Sequence, residues 1–540
     1  MEKKKRKKNN KAMALYGILA FVIPNIFLIN MYNQEFGVIA LYSLGILAGI
    51  LGVVSIAMVW LLGLLTGKKE YSLIVAVVFW IIFWLHNDIY RITAQIGITS
   101  KYLFPVYVVI LLILAFLFRI LKENDYMKVL IPVIIAIVAL MNVITFSAKL
   151  ISYELHHIPY TYAANTVAVE EELPSPNIYW IHCDGMLSFQ AVEQYFGYSD
   201  SELFDFMKTE GSHVTEDAWM EAGHTTMKAI PTLTCPHYYE STLRPYMDNT
   251  QNLYLLGEAE PKNVITSTQL IDSRIENELF EAMELKGYQT NVIANRDSFF
   301  CFYPDNFYAL NGPQSNEIEL QHIRAEYSTF WYHLNVDFRR ILFMETILTS
   351  LYSMQNSENP IAYADTMDSY FYHGNVELLM KTKTAFDCVL EQSSNQPQFT
   401  FISLMTAHAP FTYDEEGNVV YIPSGDSNET GSMDTYVPSW IYTGNLVEEM
   451  VTKIKDMDPN AVIVVQGDHG CHVFSADDIR DFVGTDQDED VLNVWNSVMS
   501  AVYIPEQYLT GEEEVLNNPV NISRYLMNHY VGGSYEYVVE

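Results

Sequence analysis

Cysteine is scarce in this chain, with five in 540 residues. That excludes a disulfide-built scaffold, and the odd count leaves at least one thiol unpaired unless it bridges to another chain. Basic residues are also few, 31 against 65 acidic, for a net charge of −34. They are unevenly placed: residues 1–150 hold 15 basic and 6 acidic residues, and residues 151–540 hold 16 and 59. So acidic a second part repels phosphate backbones, which excludes nucleic acid as a partner. No small-residue cleavage site follows the basic start, so the first apolar stretch does not read as a signal peptide. The acidic run Asp486-Gln487-Asp488-Glu489-Asp490 lacks the glycine and spacing of an EF-hand and reads as a solvated loop. No internal repeat is evident, and the length exceeds what one core accommodates.

What the chain has in abundance is long apolar runs near its start. A bilayer crossing needs about 20 mostly apolar residues. Five stretches meet that test, at about 13–33, 38–66, 71–92, 102–121 and 128–147. Lys and Arg fill alternate joints: the MEKKKRKKNNK start, then Lys68 and Lys69, then Arg119, Lys122 and Lys128. By the positive-inside rule the N-terminus is cytoplasmic, and everything beyond residue 150 lies outside the cell. Gly45 and Gly49 are spaced to let spans approach closely. His86, Asp88 and Arg91 sit near the outer end of the third span, as an interfacial polar cap or a lipid-headgroup contact. The expected layout is a five-span domain over 1–147, a juxtamembrane connector over 148–176 and an extracellular domain over 177–540.

Beyond the connector, short apolar runs alternate with helical patterns, which predicts an α/β fold with a mostly parallel sheet between helices. Asn177–Cys183 runs into Asp184-Gly185, and Thr290–Ala294 leads to Arg296. Gln398–Met405 leads to His408, and Ala461–Val465 to Gly467-Asp468-His469-Gly470. The polar residues follow the strands' C-terminal ends, the edge at which open α/β sheets bind ligands.

Asp184, Asp468 and His469 make a mixed oxygen and nitrogen donor set suited to Zn²⁺ or Mn²⁺. The segment Gly223-His224-Thr225-Thr226-Met227-Lys228-Ala229-Ile230-Pro231 supplies a hydroxyl nucleophile, Thr225 or Thr226, which a metal can activate. A helix opening there would also favour an anionic substrate. His408 reads as a contact to a transferred phosphoryl group or its leaving oxygen. Arg296 is a weaker substrate-binding candidate, and His224, His472 and Lys228 read as supporting or surface residues.

These segments together resemble the sulfatase-like branch of the alkaline phosphatase superfamily. The spans ahead of an extracellular domain are similar in architecture to lipoteichoic acid synthases and membrane phosphoethanolamine transferases. The resemblance implies one divalent ion, Mn²⁺ or Zn²⁺, held by Asp184, the nucleophilic Thr, Asp468 and His469. It also implies a phospho-threonine intermediate, a membrane phospholipid as donor and a cell-surface glycan or lipid as acceptor. Thr226-Met227-Lys228-Ala229-Ile230-Pro231-Thr232-Leu233 matches the nucleophile segment of the phosphoethanolamine transferases, so Thr226 is expected, with Thr225 the alternative. The family usually carries Glu at the position of Asp184. Cys235-Pro236-His237 does not fit the segment that sulfatases convert to formylglycine, so phosphoryl chemistry is expected over sulfate-ester hydrolysis. The alternatives are an extracellular phosphodiesterase or phosphatase and a non-catalytic sensor or scaffold.

Overall fold

In the computed structural model, the described residues are 2–34, 40–94, 100–122, 125–156, 173–199, 201–220, 226–240, 277–294, 304–309, 319–321, 330–344, 346–348, 364–392, 394–409, 411–420, 433–471 and 474–539. The chain divides into two units, residues 1–157 with 329–365, and residues 158–328 with 366–540.

Among the described residues the first unit contains helices and no strand, beginning with α1 (Glu2–Gln34), α2 (Leu41–Thr66), α3 (Lys69–Trp84), α4 (His86–Ala94), α5 (Ser100–Ile120) and α6 (Asp125–His156). Four stretches of helix, Ala14–Asn33, Leu41–Thr66, Tyr102–Ile120 and Asp125–Ile151, are long and apolar enough to cross a membrane, which makes the chain membrane-anchored. The third expected span, 71–92, is not one continuous helix. Leu85 leaves helical geometry (φ −102°, ψ 14°), so α3 has 16 residues and the polar His86-Asn87-Asp88 opens α4. The structure also relocates the close approach expected at Gly45 and Gly49, neither of which has another atom within 4 Å of an added Cβ. Gly52 is the crowded position, where a Cβ would stand 2.3 Å from the Phe21 ring of α1. Polar ties add register between helices: Asn25 donates to Ala48 O at 3.2 Å and Trp80 Nε1 to Ser55 Oγ at 3.1 Å. His86 is not an exposed cap; it is fully buried, with Nδ1 3.1 Å from the Tyr107 hydroxyl.

Residues 329–365 belong to this helical unit, whereas their position in the sequence suggests the extracellular domain. The cause is the helix Phe330–Met344, whose Leu334 and Ile341 are buried and whose Ile341, Phe338 and Leu342 join the apolar core of α1–α3.

The second unit is built on an eight-stranded sheet. Its strands are β1 (Ile178–Cys183), β2 (His213–Thr215), β3 (Gln289–Ala294), β4 (Asn306–Ala309), β5 (Glu319–Gln321), β6 (Gln398–Leu404), β7 (Val462–Gly467) and β8 (Ser500–Tyr503). They run in the order β2-β8-β7-β1-β6-β3-β4-β5. The five strands β7-β1-β6-β3-β4 are mutually parallel, and antiparallel strands pair only toward the two edges. The four apolar runs read from the sequence form four of the five central strands. Every residue of β1, β6 and β7 is buried, as expected of strands covered on both faces. The acidic run expected to be a loop instead contributes Asp488–Asp490 to the first turn of a helix, where negative charge complements the helix dipole.

Asn177 aligns the start of the central strands. Its side chain accepts from Gln398 N at 2.8 Å and donates to Asp458 Oδ2 at 2.7 Å, while its carbonyl accepts from Val462 N at 2.9 Å. Replacing Asn177 by Ala removes two side-chain hydrogen bonds, and we expect about 1–2 kcal/mol loss of stability in the sheet unit. A denaturant midpoint that does not move would contradict this role.

Candidate metal and catalytic site

Parallel pairing in register brings the C-terminal ends of β1, β6 and β7 to one edge, with Cys183 opposite Leu404 on one side and Gly467 on the other. Asp184 follows β1 directly, its N–H still bonded to Leu404 O at 2.9 Å. The turn after it needs glycine. Gly185 has φ +72°, and a Cβ there would meet His408 Cα at 3.3 Å. Tyr436 clamps the turn from below, its hydroxyl donating to Gly185 O and accepting from Leu187 N, both at 2.9 Å. The Gly470 after the Asp-His pair is equally constrained, since a Cβ would lie 2.2 Å from Val494 O.

Asp184, Asp468, His469 and His408 converge at this edge. His469 Nε2 lies 3.2 Å from Asp184 Oδ1 and 3.8 Å from Asp468 Oδ2, and His408 Nε2 lies 3.9 Å from Asp184 Oδ1. One donor atom from each of Asp184, His408 and His469 falls within 4.8 Å of the other two. Both imidazoles are oriented alike. His469 Nδ1 donates to Gly470 O at 2.7 Å and His408 Nδ1 to Ala409 O at 2.5 Å, which turns each Nε2 toward Asp184. A carbonyl on Nδ1 is the usual way a protein fixes the tautomer of a metal-binding histidine. Asp468 is fully buried, and its Oδ1 accepts from Gly185 N at 3.2 Å and His469 N at 3.0 Å. The donors are carboxylate oxygens and imidazole nitrogens, nearly all buried, and this set fits a divalent ion that takes both atom types.

Electrostatics tie the group together. Burial alone would lower the His469 pKa, but the charge of Asp468 and the hydrogen bond and charge of Asp184 hold it up at about 9. Burial and the Asp468 charge push Asp184 upward; His408 and His469 outweigh them and keep its carboxyl below the ordinary carboxylate range.

Thr226 is the first described residue of the helix Thr226–Thr234, and its side chain lies outside the described residues. Thr225, Arg296, His224 and His472 lie outside them entirely. The far end of that helix is anchored. Ile230 and Leu233 are fully buried, and Asn277 Nδ2 donates to Thr234 Oγ1 at 2.7 Å. Cys183, Cys235 and Cys471 are buried free thiols, their pKa values raised by burial.

Two contributors escaped sequence reasoning. Tyr436 gave no signal, lying 251 positions from the Gly185 it clamps. His182 did give one: it is a polar residue in the otherwise apolar run IYWIHC. It is fully buried under the cluster, with Nε2 3.4 Å from Asp468 Oδ1, Nδ1 3.4 Å from Ser403 Oγ and its ring against Phe401.

Replacing His182 by Ala removes that support beneath Asp468, and we expect affinity for Zn²⁺ or Mn²⁺ to fall about 10- to 100-fold. Binding must also displace the His469 proton. Metal affinity should therefore climb as pH rises toward about 9, by up to roughly tenfold per unit, and level off above it. Metal titrations across pH check both; a flat profile would refute the second.

A family model described as Sulfatase matches residues 258–492, a stretch that includes β3 to β7 together with His408, Asp468 and His469. No curated protein matches the chain. Among solved structures, the chain is similar to the C-terminal periplasmic domain of EcEptC from Escherichia coli in complex with Zn. There the identity is 14%, with 70% of this chain and 87% of that chain covered, at a TM-score of 0.37. It is also similar to the integral membrane lipooligosaccharide phosphoethanolamine transferase A from Neisseria meningitidis, at 12% identity over 92% and 89% of the two chains, TM-score 0.33. A third similar structure is the lipoteichoic acid synthase LtaP from Listeria monocytogenes, at 13% identity over 67% and 73%, TM-score 0.35. The match to the Sulfatase model covers less than half of the chain and is consistent with a transferase or hydrolase.

Proposed function

We propose that this chain moves a phosphoryl headgroup, phosphoglycerol or phosphoethanolamine, from a membrane phospholipid to a cell-surface glycan or lipid. The reaction takes place at the outer membrane surface, with the N-terminus in the cytoplasm. The observation that carries this reading is the convergence of Asp184, His408 and His469 with both imidazole Nε2 atoms turned inward. It stands in a membrane-anchored chain that also offers a threonine hydroxyl at Thr226.

Asp184, Asp468, His469 and Thr226 would hold one Mn²⁺ or Zn²⁺, which when bound supplies Lewis acidity to the threonine hydroxyl and to the phosphoryl oxygens. Thr226 Oγ attacks phosphorus, the bond to the diacylglycerol oxygen breaks, and diacylglycerol leaves with a proton. An acceptor hydroxyl then attacks the phospho-threonine, and Thr226 regains its proton. His408, the most open of the group with 24% of its side chain exposed, faces the phosphoryl group or its leaving oxygen. The sulfatase match also admits a hydrolase, in which water replaces the acceptor.

Full-length protein in liposomes with labelled phosphatidylglycerol or phosphatidylethanolamine should release diacylglycerol, and Thr226→Ala should abolish that release while Thr225→Ala retains it. Mass spectrometry should find the headgroup phosphate on Thr226. Release from neither lipid would overturn the transferase reading, and turnover of a soluble phosphodiester without any lipid adduct would replace it with the hydrolase.

A further inference from the structure

The helix Phe330–Met344 has two faces. Leu334, Asp337 and Ile341 are buried, and Ile341 packs into the core formed by α1, α2 and α3 with Phe338 and Leu342 against it. The opposite end carries Phe330 and Trp331, 48% and 74% exposed. The Phe330 ring lies 5.2 Å from the ring of Tyr42, which with Leu41 opens α2 and is itself 41% exposed. These four side chains form one apolar and aromatic surface.

Its place in the helical unit identifies what covers it. Ile347, just past the helix, donates its N–H to Phe83 O at 2.9 Å, at the C-terminal end of α3. The helix therefore sits at the end of the bundle where α2 begins and α3 stops. Asn33, at the close of α1, contacts Lys149 near the C-terminal end of α6, so α1 and α6 close toward one another as well, and the chain leaves α6 for the second unit. That end lies at the boundary of the apolar length of the spans, where tryptophan and tyrosine rings partition into the headgroup region. Scattered exposed apolar residues are ordinary on a soluble surface. A continuous aromatic cluster beginning beside a membrane-crossing helix is not in that situation, because the lipid around Tyr42 extends to its neighbours.

We infer that the helix Phe330–Met344 is an interfacial membrane helix, with Phe330 and Trp331 seated in the lipid headgroup and upper acyl region beside α2. The partner is the lipid bilayer. Because residues 329–365 are an excursion from the sheet unit, the chain passes between the two units three times, and the inserted helix gives the sheet unit a second attachment besides the one following α6. The inference rests on the membrane anchoring and not on the transfer chemistry, so it stands or falls separately from the transferase reading.

The test places a benzophenone amino acid at position 331 of the full-length protein, in liposomes containing an alkyne-tagged phosphatidylcholine. The same label at Trp60, 67% exposed on the second span, reports lipid contact, and at Leu509, 53% exposed on the sheet unit, reports its absence. We expect a lipid adduct at 331 close in yield to that at 60 and several-fold above that at 509, and a label at Phe330 should behave the same way. A yield at both 330 and 331 no higher than at 509 overturns the inference. So does crosslinking of both positions to polypeptide, whether a second copy or the same chain's sheet unit.

Discussion

The sheet unit depends on how one buried negative charge is held. Asp468 has no access to water, and a carboxylate in such a place is costly unless hydrogen bonds and opposite charge surround it. Here one oxygen takes backbone N–H groups from Gly185 and His469, and His182 approaches the same atom from within β1. The carboxylate therefore joins the ends of two neighbouring strands, β1 and β7. It also charges the imidazole beside it, since His469 is held at about 9 chiefly by Asp468 and then by Asp184. Geometry and electrostatics at this edge thus have a common origin.

That origin explains why the site could be read from the sequence in part. Parallel strands buried on both faces must be continuously apolar, so NIYWIHC, TNVIA, QFTFISLM and AVIVV stood out, and the polar residues after them marked the open edge. Asp184, His408, Asp468 and His469 follow from that rule alone, and their meeting in space follows from strand register. His182 and Tyr436 do not, because their contribution is to contact a residue distant in sequence, and a single sequence carries no record of such contacts. The helical unit shows the same division. Apolar length announced the spans, but the break at Leu85 and the crowding at Gly52 against Phe21 depend on which helices become neighbours.

The insertion of 329–365 is the sharpest case. Its helix carries aromatic and apolar residues that suit a domain core as well as a bundle surface, so composition alone placed it with the segment around it. Only packing separates the two: Ile341 completes the core of α1–α3. A segment leaving one unit to complete another couples their stabilities, since losing its burial would expose apolar surface in the bundle.

The two histidines that face Asp184 show how the backbone, rather than more side chains, sets the chemistry. Each points Nδ1 at a carbonyl no further than the next residue, Ala409 or Gly470, so each ring is oriented by its own loop. The loops are in turn held by glycines, Gly185 at φ +72° with an added Cβ 3.3 Å from His408 Cα and Gly470 with one 2.2 Å from Val494 O. A larger residue at Gly185 would press on the His408 backbone, and one at Gly470 on the Val494 backbone. The short Asp-Gly and Asp-His-Gly signatures are therefore steric requirements as much as chemical ones: the acidic and imidazole groups supply the donors, and the glycines let the strand ends come close enough for those donors to share one point.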